Sequence, residues 1–217
     1  MKLEVAPDPG AAALRAAEIV AEHARAAVAA RGEFHLAASG GTTPWRMFAA
    51  LSAMDLPWER VHVWQVDERV APEGHPDRNL TGLAAALTAP ANLHPIPVTH
   101  PDTYQAARSY AAQLPSPLDL VHLGLGNDGH TASLVPGDPA VDEEEALVAV
   151  TLPYKGRRRV TLTFLPINRA RARLWLVCGA DKREVVRAML AQDTEVVAGR
   201  VTHDDTCCVI DGAAAGD

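Results

Sequence analysis

Two kinds of apolar spacing alternate along the chain. From Asp8 to Arg31, Ala13, Ala17, Val20, Ala24 and Ala27 recur every three or four residues, with Arg15, Glu18, Glu22 and Arg25 on the opposite side. That spacing predicts one amphipathic helix, closed by Gly32. Short unbroken apolar runs make up the second kind: Leu3–Val5, 33–38 (EFHLAA), 60–66 (RVHVWQV), 93–98, 120–126 (LVHLGLG), 146–152, 159–164 (RVTLTF), 174–178 and 207–210. Runs of this length, bounded by turn residues, predict buried strands. Helical spacing returns after Pro44 (Trp45, Phe48, Leu51), over 80–87, over 102–114 and from Gly179 to Leu190. Pro166-Ile167-Asn168 predicts a turn or short helix. A brief helical segment is also predicted at His130 and Thr131, stopped by Pro136, Gly137 and Pro139. The small residues after Ile210 predict a frayed tail.

Strands alternating with helices predict an α/β fold of Rossmann-like type, a mainly parallel sheet with helices on both faces. No Gly/Ser linker, charge block or repeat divides the 217 residues, so one domain over 1–217 is expected. The net charge of −7 argues against nucleic acid or an anionic membrane as partner. Without a signal-like region or a long apolar span, the expected location is the cytoplasm. Three cysteines, two of them the adjacent Cys207 and Cys208, form no disulfide framework. His62, His75, His94, His100, His122 and His203 are scattered, without HxxxH or CxxC spacing, so no metal is expected. A monomer or small homo-oligomer is expected.

Parallel sheets bind ligands outside the carboxyl ends of their strands. Three predicted strand ends carry chemistry. After 120–126, Gly124, Gly126 and Gly129 permit a tight turn and close approach of a ligand, and His130 is a candidate base near neutral pH. Asp128 either fixes the imidazole or holds substrate hydroxyls; the plainer reading makes His130 a helix cap. After 33–38, Ser39-Gly40-Gly41-Thr42-Thr43-Pro44 leads into a helix and presents N–H groups and hydroxyls to an anion, phosphate being the obvious one. A purely structural glycine turn is the alternative there. After 60–66 stand Asp67, Glu68 and Arg69, either a solvated loop or a second cluster facing the same crevice; Arg78 and Asn79 follow.

Two other motifs fail on context. Residues 124–129 fit GxGxxG, but the dinucleotide fingerprint needs a sustained helix and an acidic residue after the next strand. Pro136 breaks that helix, and Asp142–Glu145 precede the next strand, so no nicotinamide cofactor is expected. Ser39 sits in an elbow-like AASGG, too near the N-terminus for a hydrolase nucleophile.

Taken together, GLGNDGHTASLVPG (124–137), ASGGTTP (38–44), VDER (66–69), RVTLTFLPINRA (159–170), LVCGADK (176–182) and VIDGAA (209–214) resemble the 6-phosphogluconolactonase family, in the family's order and over nearly the whole chain. The resemblance implies hydrolysis of 6-phospho-D-glucono-1,5-lactone, a small sugar-phosphate lactone, without a cofactor. It also implies the fold shared with glucosamine-6-phosphate deaminases and ribose-5-phosphate isomerases. Carried over by position, it makes His130 the general base, Asp128 its acidic neighbour and Arg69 an active-site arginine. Gly40, Gly41 and Thr42 become the phosphate-side loop, with Arg159 and Lys182 as basic pocket residues. Ser39, Asp67, Asn79, Gly126 and Gly129 complete the implied substrate site. The chain departs from the family at Arg78, where serine is usual, at PYKGRR (153–158) in place of a Pro-rich approach, and at Val135. The deaminase branch is the rival reading; its members resemble this chain but carry tyrosine at the position of Arg69. A non-catalytic sugar-phosphate sensor is a third.

Overall fold

The structure, a computed structural model, describes residues 1–216. Numbered along the chain, the strands are β1 (Lys2–Ala6), β2 (Phe34–Ala38), β3 (Val61–Gln65), β4 (Asp67–Arg69), β5 (Asn92–His94), β6 (Leu120–Leu123), β7 (Val148–Val150), β8 (Arg159–Leu162), β9 (Ala172–Val177) and β10 (Thr206–Asp211). The helices are α1 (Pro9–Arg31), α2 (Thr42–Ser52), α3 (Asn79–Ala86), α4 (Thr103–Gln113), α5 (Phe164–Arg169), α6 (Arg183–Leu190) and α7 (Gly212–Ala215). Seven strands form a wholly parallel sheet in the order β1-β10-β9-β6-β2-β3-β5.

Both faces of this sheet are buried, and the strands read accordingly. Leu36, Leu120, Leu174 and Val209 pack with α1 and α2, while their neighbours Ala37, Val121, Trp175 and Cys208 enter the core on the other face. Successive side chains of a strand point oppositely, so a strand covered on both sides is apolar throughout. Trp175 is fully buried, and truncating it to Ala would cost about 3–5 kcal/mol. The buried side of α1 is mostly alanine, which lets the helix lie close to the sheet. Its start is fixed by Asp8, whose Oδ1 accepts from the Gly10 and Ala11 N–H groups at 2.8 Å, and by Pro9; Gly32 ends it with φ of 86°. Among the described residues no helix is long and apolar enough to cross a membrane.

The connections decide where a ligand binds. From β2 the chain steps through α2 to β3 and through α3 to β5 at one edge. It then returns by α4 to β6 on the other side of β2, and β9 and β10 continue outward from there. At this reversal the ends of β2 and β6 part to opposite sides and leave a crevice.

Three expectations are corrected. The runs around 146–152 and 159–164 do not join the parallel sheet: β7 and β8, with β4, form a separate antiparallel sheet in the order β4-β8-β7. Only residues 151–158 link β7 to β8, too few for the crossover that a parallel pair requires. They form a hairpin instead, its tip having φ of 49° at Lys155 and 80° at Gly156. No helix begins at His130: Thr131 and Leu134 form an isolated bridge, with Ala132 at φ of 54°. Thr131 Oγ1 donates to Gly124 O and Ser133 Oγ to Asp67, and such side-chain bonds compete with helix. The tail is ordered as α7, capped by Asp211 and anchored by buried Ala214.

Candidate active site

The turn after β6 is closed by two hydrogen bonds, Gly126 N–H to His130 O at 2.8 Å and Gly129 N–H to Gly126 O at 3.0 Å. It folds two side chains onto each other: His130 Nδ1 lies 2.5 Å from Asp128 Oδ1. A Cβ on Gly126 would run into His130 Nδ1 and sit 2.7 Å from Asp128 Oδ1, so only glycine leaves room for the pair. Tyr154, from the β7–β8 hairpin, donates its hydroxyl to Asp128 Oδ2 at 3.0 Å and meets the His130 ring edge-on at 5.6 Å. Partial burial works against a charge on Asp128, but the bonds from His130 and Tyr154 outweigh it and hold the carboxyl below its ordinary range. A carboxylate beside Nδ1 favours the tautomer that carries its proton there, with Nε2 as the acceptor.

β4 supplies the adjoining wall, and its three charges take different roles. Glu68 is fully buried and accepts from the N–H groups of Asn79 and Leu80 at the start of α3 and from Arg78 Nε at 3.3 Å. It and Arg78 are structural; neither lines the crevice. Asp67 is buried beneath the site, accepting from Ser133 Oγ at 2.5 Å and Asn79 Nδ2 at 3.1 Å, and burial drives its carboxyl upward. Arg69 is held at the rim by Nη1 bonds to Asp77 O at 2.6 Å and Asn79 Oδ1 at 3.2 Å. Arg159, opposite Arg69 in the β4–β8 register, lies over the Tyr154 ring at 4.9 Å with Nη1 3.3 Å from Ser133 Oγ.

The third wall is the loop after β2. Ser39 Oγ donates to His122 O at 2.9 Å, so the hydroxyl is engaged within the sheet rather than poised as a nucleophile. Gly40 presses against the Asn79 amide, where a Cβ would come within 2.6 Å of Cγ. Gly41, with φ of 138°, begins α2 without a side-chain cap, leaving the first N–H groups of the helix to face the crevice. Lys182 enters from the segment before α6, its Nζ donating to Asn127 Oδ1 while Asn127 Nδ2 donates to Asp181 at 2.8 Å.

These walls enclose a cavity of about 540 Å3. The residues predicted for the site line it, with one exception. Gly129 has φ of 81° and its missing Cβ would meet Val196 Cγ1 at 2.5 Å, so it shapes the turn from behind and does not face the cavity. Tyr154, Lys155, Asn127 and Ala132 line the cavity without having been singled out. For Tyr154 the only signal was an aromatic residue where a Pro-rich approach is usual. The histidines are less scattered than their positions in the chain suggest: His35, His62 and His94 stack across β2, β3 and β5, with centroids 4.8 and 5.2 Å apart. Among the described residues no group of three or more His, Cys, Asp or Glu converges in a metal-binding arrangement.

Fold and site define an α/β protein whose ligand crevice gathers a histidine–carboxylate pair and several cations at the carboxyl ends of parallel strands. Residues 7–209 match the family described as glucosamine-6-phosphate isomerases/6-phosphogluconolactonase, and the chain belongs to that family. A 6-phosphogluconolactonase of Synechocystis sp. is 38% identical over 184 residues, covering 78% of this chain and 76% of its own. The crystal structure of a 6-phosphogluconolactonase from Shewanella baltica superposes with a TM-score of 0.87 at 26% identity, over 97% of both chains. A monomeric glucosamine-6-phosphate deaminase superposes with a TM-score of 0.88 at 18% identity, over 100% of this chain and 99% of its own, a likeness of fold alone.

Proposed function

We propose that the chain, acting as one catalytic domain, hydrolyses 6-phospho-D-glucono-1,5-lactone to 6-phosphogluconate, with His130 as general base. The observation that carries this reading is the 2.5 Å contact of His130 Nδ1 with Asp128 in a cavity that also holds Arg69, Arg159, Lys155 and Lys182. A cavity of about 540 Å3 suits a sugar phosphate. Four cations in one crevice of a chain with net charge −7 favour a small anion there over any polyanion elsewhere. The relatives named as 6-phosphogluconolactonases support the same substrate.

In the proposed reaction, Nε2 of neutral His130 takes a proton from a water at the lactone carbonyl. The oxygen of that water bonds to C1, and the carbonyl electrons move onto a tetrahedral oxyanion, which Arg69 and N–H groups of the glycine turn stabilise. As the C1–ring oxygen bond breaks, the imidazolium returns its proton to the departing oxygen. Asp128 keeps the proton on Nδ1 throughout. Gly41, Thr42, Arg159 and Lys182 hold the phosphate, and its binding energy orients the ring, so an unphosphorylated lactone loses turnover as well as affinity.

The test is lactone hydrolysis above the spontaneous background with purified protein, comparing phosphorylated and unphosphorylated gluconolactone, and wild type with His130→Asn. Catalysis that needs phosphate and His130 is expected. Ammonia release from glucosamine 6-phosphate without lactone hydrolysis would move the chain to the deaminase branch. Binding of 6-phosphogluconate without turnover would make it a sensor.

A further inference from the structure

Tyr154 is held from three sides. Its backbone pairs with Arg157 across the hairpin tip, N–H to O at 2.9 Å. Arg159 and the Lys155 ammonium lie over its ring at 4.9 and 5.1 Å. Its hydroxyl donates to Asp128 Oδ2 while its ring meets the edge of His130. Oδ1 is held by the His130 ring and by the His130 N–H at 3.2 Å, but the Asp128 side chain is 38% exposed, and without the Tyr154 donor Oδ2 would face water. The other charged groups around the trio are Lys182 ahead of α6, and Asp67 and Arg69 from β4.

We infer that Tyr154 is a positioning residue: it locks the Asp128 carboxylate against His130 Nδ1 and, through Asp128, sets the acid limit of the working pH range. The inference rests on His130 being the general base proposed above. A donor on Oδ2 draws charge away from Oδ1, so the carboxylate supports a proton arriving on the imidazole less strongly. The hydroxyl touches no reacting atom in this scheme.

Tyr154→Phe keeps the ring and both cation contacts and removes only the donor. With the phosphorylated lactone, kcat should fall roughly tenfold with KM changed less than about twofold, the size expected for one bond to a charged group. The acid limb of the pH–rate profile should move to higher pH. In an Asp128→Asn background the same substitution should have little further effect, because its route is gone. An equal loss in both backgrounds, or a lower kcat with an unmoved limb, would overturn the inference while leaving the lactonase reading intact. If the wild type hydrolyses no lactone, that reading fails, and the 15N imidazole spectrum of His130 decides in the absence of substrate. Y154F should then titrate at higher pH than wild type; coincident titrations overturn the inference. Should Y154F not fold, 3-fluorotyrosine in place of Tyr154, a stronger donor to Oδ2, decides: a His130 titration moved to lower pH supports the inference, and an unmoved one ends it.

Discussion

His122 and His130 stand on one strand-and-turn unit, eight residues apart, yet they live in different solvents. His122 lies inside β6, fully buried, edge-on to Phe48 at 5.9 Å, and burial depresses its pKa to about 3. Its Nδ1 accepts from the Ser39 N–H at 3.3 Å, and its Nε2 has no partner among the described residues. His130 lies past the strand end, partly open to the cavity, with a carboxylate on Nδ1 and a tyrosine behind that carboxylate. One imidazole is a neutral packing piece; the other, with a carboxylate on one nitrogen and the cavity before it, is the base of the proposed reaction. The difference is made by what lies within 3 Å of each ring and by access to the crevice, not by residue type.

The largest expected effect comes from removing that base. His130→Asn should lower kcat/KM on the phosphorylated lactone by about a hundred- to ten-thousandfold, the usual worth of a positioned base. Circular dichroism and melting temperature should stay near wild type, because the side chain lies at the cavity and not in either core. A variant with normal turnover would erase the distinction between the two histidines.

Next comes Asp128→Asn, which makes His130 more like His122 by leaving an imidazole without its carboxylate. The rate should drop about ten- to a hundredfold through loss of a charge-assisted bond. At the same time the acid limb of the pH profile should move to lower pH, since nothing then supports the imidazolium. The opposite direction from that expected of Y154F makes the pair a sharp test of the chain from Tyr154 through Asp128 to His130.

The same contrast explains what could be read from residue order. His122 sits in LVHLGLG, a run whose burial on both faces requires only apolar character; runs of this kind marked the strands, but not that 146–152 and 159–164 pair as an antiparallel hairpin apart from the parallel sheet. His130 was identifiable because Gly124, Gly126 and Gly129 mark a tight turn at a strand end. What remained hidden depends on contacts between distant segments. Tyr154 reaches Asp128 from the hairpin, and nothing in PYKGRR announces that reach. Glu68 and Arg69 are adjacent in the chain, yet the pleat of β4 sends one under α3 to cap it and the other to the rim. A brief helix is expected at His130 and Thr131, but the hydroxyls of Thr131 and Ser133 bond to Gly124 and Asp67 and turn the chain away.

A smaller effect is expected at Lys182, which belongs to the same turn through Asn127 but carries no proton in the proposed chemistry. Lys182→Met should reduce kcat/KM about tenfold for the phosphorylated lactone and leave hydrolysis of unphosphorylated gluconolactone within about twofold. Equal losses on both substrates would place Lys182 at the reacting carbon and enlarge the chemical half of the site.

The smallest effect on catalysis should come from His122, whose replacement is felt in stability. In the unfolded chain an imidazole titrates at about 6.5. In the native protein His122 stays neutral down to about 3. Below about pH 6.5 the unfolded chain therefore takes up a proton that the native chain refuses, and stability falls with falling pH by roughly 1 kcal/mol per unit across that window. His122→Asn keeps an acceptor for the Ser39 N–H but has nothing to titrate. It should cost about 1–3 kcal/mol at pH 7 through lost packing. Between pH 6.5 and 4.5, urea unfolding should show a shallower loss of stability for the variant than for wild type, with lactone hydrolysis at pH 7 unchanged within about twofold. If the two slopes coincide, His122 is not the neutral ring that its burial implies. Burial would then not separate the two histidines, and the assignment of His130 as the base would rest on its Asp128 partner and its place at the cavity.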